Sequence, residues 1–103
     1  MDRIEKLKEF LLADPNDSFS RHALALEYSR LGDEVTARRL LEEVLERDPA
    51  SVGSYYQLGK ILERAGETAL ALQWYEKGMV AAHAAGEKRA YNELRSAYEE
   101  LAD

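Results

Sequence analysis

The sequence predicts an all-α fold, an α-solenoid of antiparallel helix pairs with about six helices in total. Residues of the same type recur 34 positions apart, as in Leu24 and Leu58 or Gly32 and Gly66. Apolar residues recur at every third or fourth position, which is the helical period, and no useful stretch alternates with period two. A helix pair of this length cannot bury its apolar face alone, so the repeat predicts stacked pairs.

The chain opens with a leading helix, assigned to residues 1–17. Its sequence RIEKLKEFLLA is amphipathic, with one apolar side formed by Ile4, Leu7, Phe10 and Leu11. At the end of a solenoid such a face covers the neighbouring pair, so it does not indicate membrane attachment. The Asp-Pro pair that ends with Pro15 marks the turn after this helix.

The rest of the chain divides into a first repeat, a second repeat and a trailing capping helix, at residues 18–51, 52–85 and 86–103. Inside each repeat a glycine, Gly32 or Gly66, follows a helical stretch at a point that suits a left-handed stop. Asp33, directly after Gly32, suits a helix N-cap. Glu67, in the matching position of the second repeat, suits it less well.

A known signature consists of a large aromatic residue, Leu-Gly, a tyrosine, an alanine, a second aromatic residue and a proline. The second repeat matches it, in chain order, at Tyr55, Leu58, Gly59, Ala71 and Tyr75. The first repeat carries matching positions at Leu24, Tyr28, Ala37 and Pro49. The pattern resembles the tetratricopeptide repeat, and this resemblance implies a right-handed superhelix. It also implies that the small residues allow close helix packing and that the aromatic residues fill the core.

Several positions depart from that signature. In the first repeat the first aromatic, the glycine and the second aromatic are replaced by Arg21, Ala25 and Leu41. In the second repeat Leu62 stands in the tyrosine position. His83 stands in the proline position, so the second helix of this repeat is expected to run past its usual end. The first half of the repeat pattern occurs once more as YNELRSAY at residues 91–98, two residues later than the period of 34 predicts. This displacement predicts a longer loop near Gly86.

Composition excludes several classes of function. The net charge of −6 argues against binding to nucleic-acid phosphates. The absence of cysteine excludes disulfides, thiolate metal sites and thiol catalysis, and it fits a reducing cytoplasm. No apolar run is long enough for a bilayer, and the start MDRIEKLKEF lacks the apolar centre of a signal peptide. A cytoplasmic protein that binds neither nucleic acid nor membrane is therefore expected.

Catalytic and cofactor motifs do not appear. The two histidines, His22 and His83, stand far apart and neither belongs to an HExxH arrangement. The glycines occur singly, without a phosphate-binding loop, and no GxSxG motif is present. We therefore expect a non-enzymatic scaffold that requires no metal and no cofactor.

The resemblance implies where a partner binds. In tetratricopeptide arrays the first helix of each pair lines a concave groove that holds peptide segments of partner proteins. Positions matched to that groove are Phe19, His22, Leu26, Arg30, Tyr56, Gln57, Lys60, Arg64, Arg89 and Asn92. Helical spacing supports part of this assignment, because Tyr56 and Lys60 lie four residues apart on one helix face.

Charge and apolarity predict the character of the ligand. Residues 18–31 and 51–65, which supply the first helices, each carry two basic residues and one acidic residue, whereas 33–48 carries three basic and six acidic. Exposed aromatic side chains beside basic residues suggest a surface that holds an apolar side chain of the ligand and pairs with its charge. The predicted ligand is a peptide with an apolar anchor and one or more carboxylates. The resemblance also includes chaperone adaptors, which grip a terminal carboxylate. The matching positions here are His22, Leu26, Gln57, Arg89 and Glu93. Only Arg89 keeps a positive charge and Glu93 would repel a carboxylate, so this subclass is disfavoured.

Two alternatives remain open from the sequence. The first alternative is a homo-oligomerisation module, in which the terminal helices dock on another copy of the chain. The candidate residues for that contact are Ile4, Leu7, Leu11, Tyr98 and Leu101. The chain is instead a fragment of a longer repeat protein if the pattern, which begins and ends partway through a repeat, continues beyond it.

Overall fold

The computed structural model describes residues 2–103, and every regular element in that range is an α-helix. The predicted all-α fold with six helices is confirmed. The helices are α1 (Arg3–Ala13), α2 (Ser18–Arg30), α3 (Glu34–Arg47), α4 (Val52–Arg64), α5 (Thr68–Ala85) and α6 (Lys88–Ala102).

The helices form two compact units. The first unit ends at Asp48 and contains α1, α2 and α3, and the second begins at Pro49 and contains α4, α5 and α6. In the first unit α2 packs against both α1 and α3. In the second unit α5 packs against α4 and α6, and α4 also contacts α6. Each unit is therefore a three-helix assembly in which consecutive helices are neighbours.

Aspartates begin the three helices of the first unit. The side chains of Asp2, Asp17 and Asp33 accept hydrogen bonds from backbone N–H groups three residues later, at 2.9, 3.2 and 3.1 Å. These bonds satisfy donors that the first turn of a helix leaves without intrahelical partners. The N-cap predicted at Asp33 is confirmed. Glu67, which precedes α5, makes no side-chain capping hydrogen bond.

The end of α5 corrects one prediction and confirms another. As expected from His83 in place of proline, α5 continues to Ala85 and spans 18 residues. It stops at Gly86, whose φ of +71° lies in the left-handed region that favours glycine. The predicted longer loop is wrong, because only Gly86 and Glu87 separate α5 from α6. The two extra residues extend the helix.

The first unit packs through small and branched side chains. Ala25 on α2 and Ala37 on α3 are fully buried, as are Leu41 and Val44 on α3. Arg47, at the end of α3, donates to the carbonyl of Pro15 at 3.1 Å and to Asn16 Oδ1 at 3.2 Å. That contact joins the last turn of α3 to the α1–α2 connection.

The second unit packs aromatic rings against glycines. A Cβ added at Gly59 would lie 2.7 Å from two ring carbons of Tyr75, a side chain that is fully buried. Gly78 has the same role on α5, where a Cβ would lie 2.6 Å from Cβ of Tyr55 and 3.0 Å from both methyl carbons of Leu94. The Tyr55 hydroxyl donates to the carbonyl of Pro49 at 2.7 Å. These contacts explain why glycines stand inside helices, where they otherwise reduce stability.

The aspartate caps predict acid sensitivity. Hydrogen bonds from Ser20 lower the pKa of Asp17, and hydrogen bonds from Thr36 lower the pKa of Asp33, the side-chain bond contributing most in each case. Because these folded-state pKa values lie below 3.8, their contribution to stability is present above that pH and is lost as pH falls through the lowered pKa. We expect the free energy of unfolding to fall between about pH 5 and about pH 3.

Denaturant unfolding at a series of pH values measures this dependence. Asp17→Asn and Asp33→Asn keep a capping acceptor but cannot titrate, so their stability should change less with pH than that of the wild type. Asp103→Asn, at the chain terminus, controls for the loss of one negative charge. Unchanged pH dependence in both cap variants would contradict the assignment.

Candidate functional site

The ten predicted groove residues lie on three helices. Phe19, His22, Leu26 and Arg30 lie on α2, Tyr56, Gln57, Lys60 and Arg64 on α4, and Arg89 and Asn92 on α6. The two compact units each bring some of these residues together around a cavity. The prediction that all ten belong to one groove stays a prediction.

The first-unit pocket is a cavity of about 300 Å³ beside α2. All four predicted α2 residues line it, together with Arg3, Ala23 and Glu27. Phe19 is 78% exposed, and Leu26 is also exposed. A helix that packs on two neighbours does not need these apolar side chains in its core, so they are available for contact with another molecule.

A largely shielded carboxylate joins two arginines in the first-unit pocket. Arg3 Nε on α1 lies 2.8 Å from Glu27 Oε1. Arg30 donates to Glu27 Oε2 from Nη2 at 2.7 Å and from Nε at 3.0 Å. The Glu27 side chain is 13% exposed, whereas those of Arg3 and Arg30 are 62% and 71% exposed. The carboxylate therefore lies beneath two guanidinium groups that face solvent.

His22 adds no positive charge to this pocket at neutral pH. Burial lowers the pKa of its imidazole below 6.5, because desolvation disfavours the charged form. The charged side chains of the pocket at pH 7 are therefore Arg3, Arg30 and Glu27. Two positive groups against one negative group give the pocket a small positive charge within an acidic protein.

The second-unit pocket is a cavity of about 610 Å³ between α4 and α6. Its lining includes four predicted residues, Tyr56, Lys60, Arg89 and Asn92. The remaining lining residues all belong to α6: Glu93, Ser96, Ala97 and Glu100. Gln57 and Arg64 lie on α4 outside this lining, so their place in a binding surface stays a prediction.

Tyr56 and Lys60 form a fixed pair on the α4 wall. Lys60 Nζ lies 5.4 Å from the centroid of the Tyr56 ring, within the range of a cation–π interaction. The Tyr56 ring lies 6.3 Å from that of Tyr75, inclined by 44°. Because Tyr56 is held from both sides and is only half-buried, part of its ring remains open to the cavity.

A hydrogen-bond network beneath this pair restrains Lys60. Lys60 Nζ lies 3.4 Å from Glu63 Oε2, which also accepts a hydrogen bond from the Tyr75 hydroxyl. Burial raises the pKa of Tyr75, and the hydrogen bond to Glu63 and the negative charge of that carboxylate raise it further. The phenol therefore stays protonated and donates to Glu63 throughout the neutral pH range.

Charges in the second-unit pocket balance. Lys60 and Arg89 supply two positive groups, and Glu93 and Glu100 supply two negative groups. Arg89 Nε lies 3.3 Å from Glu93 Oε1 in an exposed pair, which contributes little to stability. This pocket therefore offers aromatic surface and polar side chains, whereas the first-unit pocket has an excess of positive charge.

Sequence reasoning missed Arg3 and Glu27 as site residues. The spacing of three between Glu27 and Arg30 is a visible helical ion-pair signal. No comparable signal connects Arg3 with Glu27, because their contact depends on how α1 packs on α2.

Neither a metal centre nor a membrane segment emerges from residues 2–103. In that range no three histidine, aspartate or glutamate side chains come together as a possible metal site. None of the six described helices has the length and apolarity to cross a bilayer.

The fold and the glycine–aromatic packing define an all-α helical repeat protein. The tetratricopeptide repeat family matches residues 40–73. A TPR repeat-containing protein of Pseudomonas aeruginosa is 32% identical over 91 residues, which cover 88% of this chain and 87% of that protein. The chain belongs to the tetratricopeptide repeat family.

Solved structures support the same assignment. A tetratricopeptide repeat domain protein from Salinibacter ruber, determined by NMR, is 39% identical with a TM-score of 0.81, covering 85% of this chain and 89% of that one. A protein from Bordetella parapertussis is 27% identical with a TM-score of 0.83, covering 99% of this chain and 89% of that one. The family is generally a protein–protein interaction module.

Proposed function

We propose that this chain is a non-enzymatic interaction scaffold that binds a peptide segment of a partner protein at its first-unit and second-unit pockets. The observation that carries the proposal is the second-unit pocket, where α4 and α6 arrange Tyr56, Lys60, Arg89 and Asn92 around one open cavity. An aromatic anchor site surrounded by polar groups is typical of peptide contact surfaces.

The chemistry of the two pockets suggests the kind of peptide. Phe19 and Leu26 offer contact to an apolar side chain, and Tyr56 offers a ring face. Asn92 and Ser96 supply donors and acceptors that suit the backbone of an extended peptide. The first-unit pocket also carries an excess of positive charge, from Arg3 and Arg30 against Glu27. We therefore propose a peptide with an apolar anchor and one or more carboxylates. The absence of cysteine fits a reducing cytoplasm, where we propose that the protein works.

Self-association through the terminal helices is the second candidate function. On α1, Leu12 is 84% exposed and Phe10 is 50% exposed, so this helix keeps apolar surface toward solvent. Leu7, one of the sequence candidates for this contact, is instead buried in the first unit. A concentration-dependent molecular mass that Leu12→Ser abolishes would support this second function.

A peptide-display selection tests the proposed function. The bait is the purified chain, and the comparison is a Tyr56→Ala, Lys60→Ala variant whose thermal melt shows that it is folded. We expect peptides with apolar and acidic residues to be enriched on the wild type. Enrichment on the variant should fall at least about tenfold, which corresponds to a loss of about 1.4 kcal/mol in binding.

A control pair on α5 makes the test specific. Lys77→Ala, Val80→Ala also removes one lysine and one exposed apolar surface, but from outside the second-unit pocket. Its selection should resemble that of the wild type. Equal loss in both variants would indicate a general effect on the fold or charge. Retained enrichment in the Tyr56, Lys60 variant would contradict peptide binding at the second-unit pocket.

A further inference from the structure

The resident Glu27 carboxylate shows what the first-unit pocket recognises. Two arginines from different helices hold its two oxygens separately, Arg3 at Oε1 and Arg30 at Oε2. Charge-assisted bonds from guanidinium groups to both oxygens are a strong mode of carboxylate binding. The pocket thus already binds a side-chain carboxylate, and that carboxylate belongs to the chain itself.

Apolar surface adjoins the two arginines. Phe19, Ala23 and Leu26 line the same cavity of about 300 Å³, and Phe19 is 78% exposed. This volume accommodates one apolar side chain of a peptide. A peptide whose apolar side chain occupies this cavity would bring its adjacent residue within reach of Arg3 and Arg30.

We propose that the first-unit pocket recognises a peptide in which an aspartate or glutamate adjoins an apolar residue, and that Glu27 competes with the incoming carboxylate for Arg3 and Arg30. This inference rests on the proposed function and names the ligand of one of its two surfaces. The partner is identified by charge complementarity, since the pocket carries one more positive than negative group.

Competition by Glu27 follows from the positions of the three side chains. Glu27 lies beneath the arginines and is largely shielded, whereas both guanidinium groups face solvent. Each guanidinium has five N–H donors, so it can turn part of its fork to a second carboxylate. While Glu27 remains charged, it neutralises one of the two positive groups. Removing that charge without removing the side chain should therefore strengthen binding of an acidic peptide.

Solution NMR with defined peptides tests this competition. The probe is acetyl-Gly-Leu-Glu-Gly-amide, and its uncharged twin is acetyl-Gly-Leu-Gln-Gly-amide. We expect the acidic peptide to shift the amide signals around Phe19 and Leu26. Glu27→Gln should lower its Kd by about threefold or more, and Arg30→Gln should raise it by about threefold or more, because charge-assisted bonds are gained or lost. The uncharged twin should bind all variants equally weakly.

A matched control separates local from general electrostatics. Glu42→Gln in α3 also removes one carboxylate that pairs with an arginine, Arg38 at 3.4 Å, and it changes the net charge equally. Its Kd for the acidic peptide should equal that of the wild type. Thermal melts confirm that all variants are folded.

Each contrary outcome overturns the inference. It falls if Glu27→Gln leaves the Kd unchanged or raises it, if Glu42→Gln has the same effect, or if no shift appears near Phe19 and Leu26. Tighter binding of acetyl-Gly-Gly-Leu with a free terminal carboxylate would assign the pocket to a chain end and refute recognition of an internal acidic side chain. The proposed function is tested separately at Tyr56 and Lys60, so display enrichment that depends on those residues would leave it standing.

Discussion

Tyr75→Ala is expected to lower the free energy of unfolding by about 3–5 kcal/mol, because the change removes a large buried side chain and leaves a cavity. Tyr75 is fully buried, with a relative exposure of 0%. Its ring fills the space that Gly59 leaves open on α4 and lies beside the ring of Tyr56. Urea unfolding followed by far-UV circular dichroism measures the loss.

Two further variants separate the contributions of Tyr75. Tyr75→Phe keeps the ring and removes only the hydroxyl that donates to the Glu63 carboxylate, so we expect a smaller loss of about 1.5–3 kcal/mol. Tyr91→Ala removes a half-exposed ring on α6 and should also cost less. A Tyr75→Ala loss no larger than that of Tyr91→Ala would contradict the central position of Tyr75 in the second unit.

Gly59→Ala is expected to destabilise the protein by about 1–3 kcal/mol through overpacking. In a solvent-exposed helix the same change adds up to about 1 kcal/mol of stability, because alanine is the better helix former. Here the added Cβ would lie 2.7 Å from both Cδ1 and Cζ of Tyr75, which is far inside van der Waals contact. Thermal or urea unfolding should therefore show that Gly59→Ala lowers the stability of the protein, whereas the same change in an exposed helix raises it.

Gly53→Ala is the matched control on the same helix, since Gly53 is exposed near the start of α4. It should leave stability unchanged or raise it. A Gly59→Ala, Tyr75→Leu double variant tests the contact itself, because removal of the ring should relieve most of the Gly59→Ala penalty. An equal Gly59→Ala effect with and without the ring would show that the two residues do not act on each other.

The fold was predictable because its signals are local or periodic. Asp33 next to Gly32 indicates a helix start in the sequence alone, and the structure places α3 there with the expected cap. The repeat also indicated Gly59 and Tyr75 as packing residues. Gly78 carried no such signal, because its partners Tyr55 and Leu94 come from helices on either side of α5.

The connection at Gly86 shows why spacing alone was insufficient. Two extra residues between matching motifs can lengthen a loop or a helix, and the motif spacing by itself predicts a longer loop. The structure uses them to extend α5, since no proline stands at position 83 to end the helix. The left-handed stop then falls at Gly86, three residues later.

The site was only partly predictable. Helical spacing indicated which residues share a face, and four of them line each pocket. The spacings of Lys60–Glu63 and Arg89–Glu93 are helical ion-pair signals, but spacing alone does not show which such pairs form. The contact of Arg3 with Glu27 has no spacing signal, because it depends on how α1 packs on α2. The predicted positive character therefore holds for the first-unit pocket, whereas the charges of the second-unit pocket cancel.

The most direct test of peptide binding by this chain is a chemical-shift map with the most enriched peptide from the display selection. Titration into the isotope-labelled protein reports each backbone amide that the peptide affects. We predict the largest shifts on α2, α4 and α6, around Leu26, Tyr56 and Asn92. Shifts confined to α3 or to the exposed side of α5, with these three amides unchanged, would contradict the proposed binding surfaces.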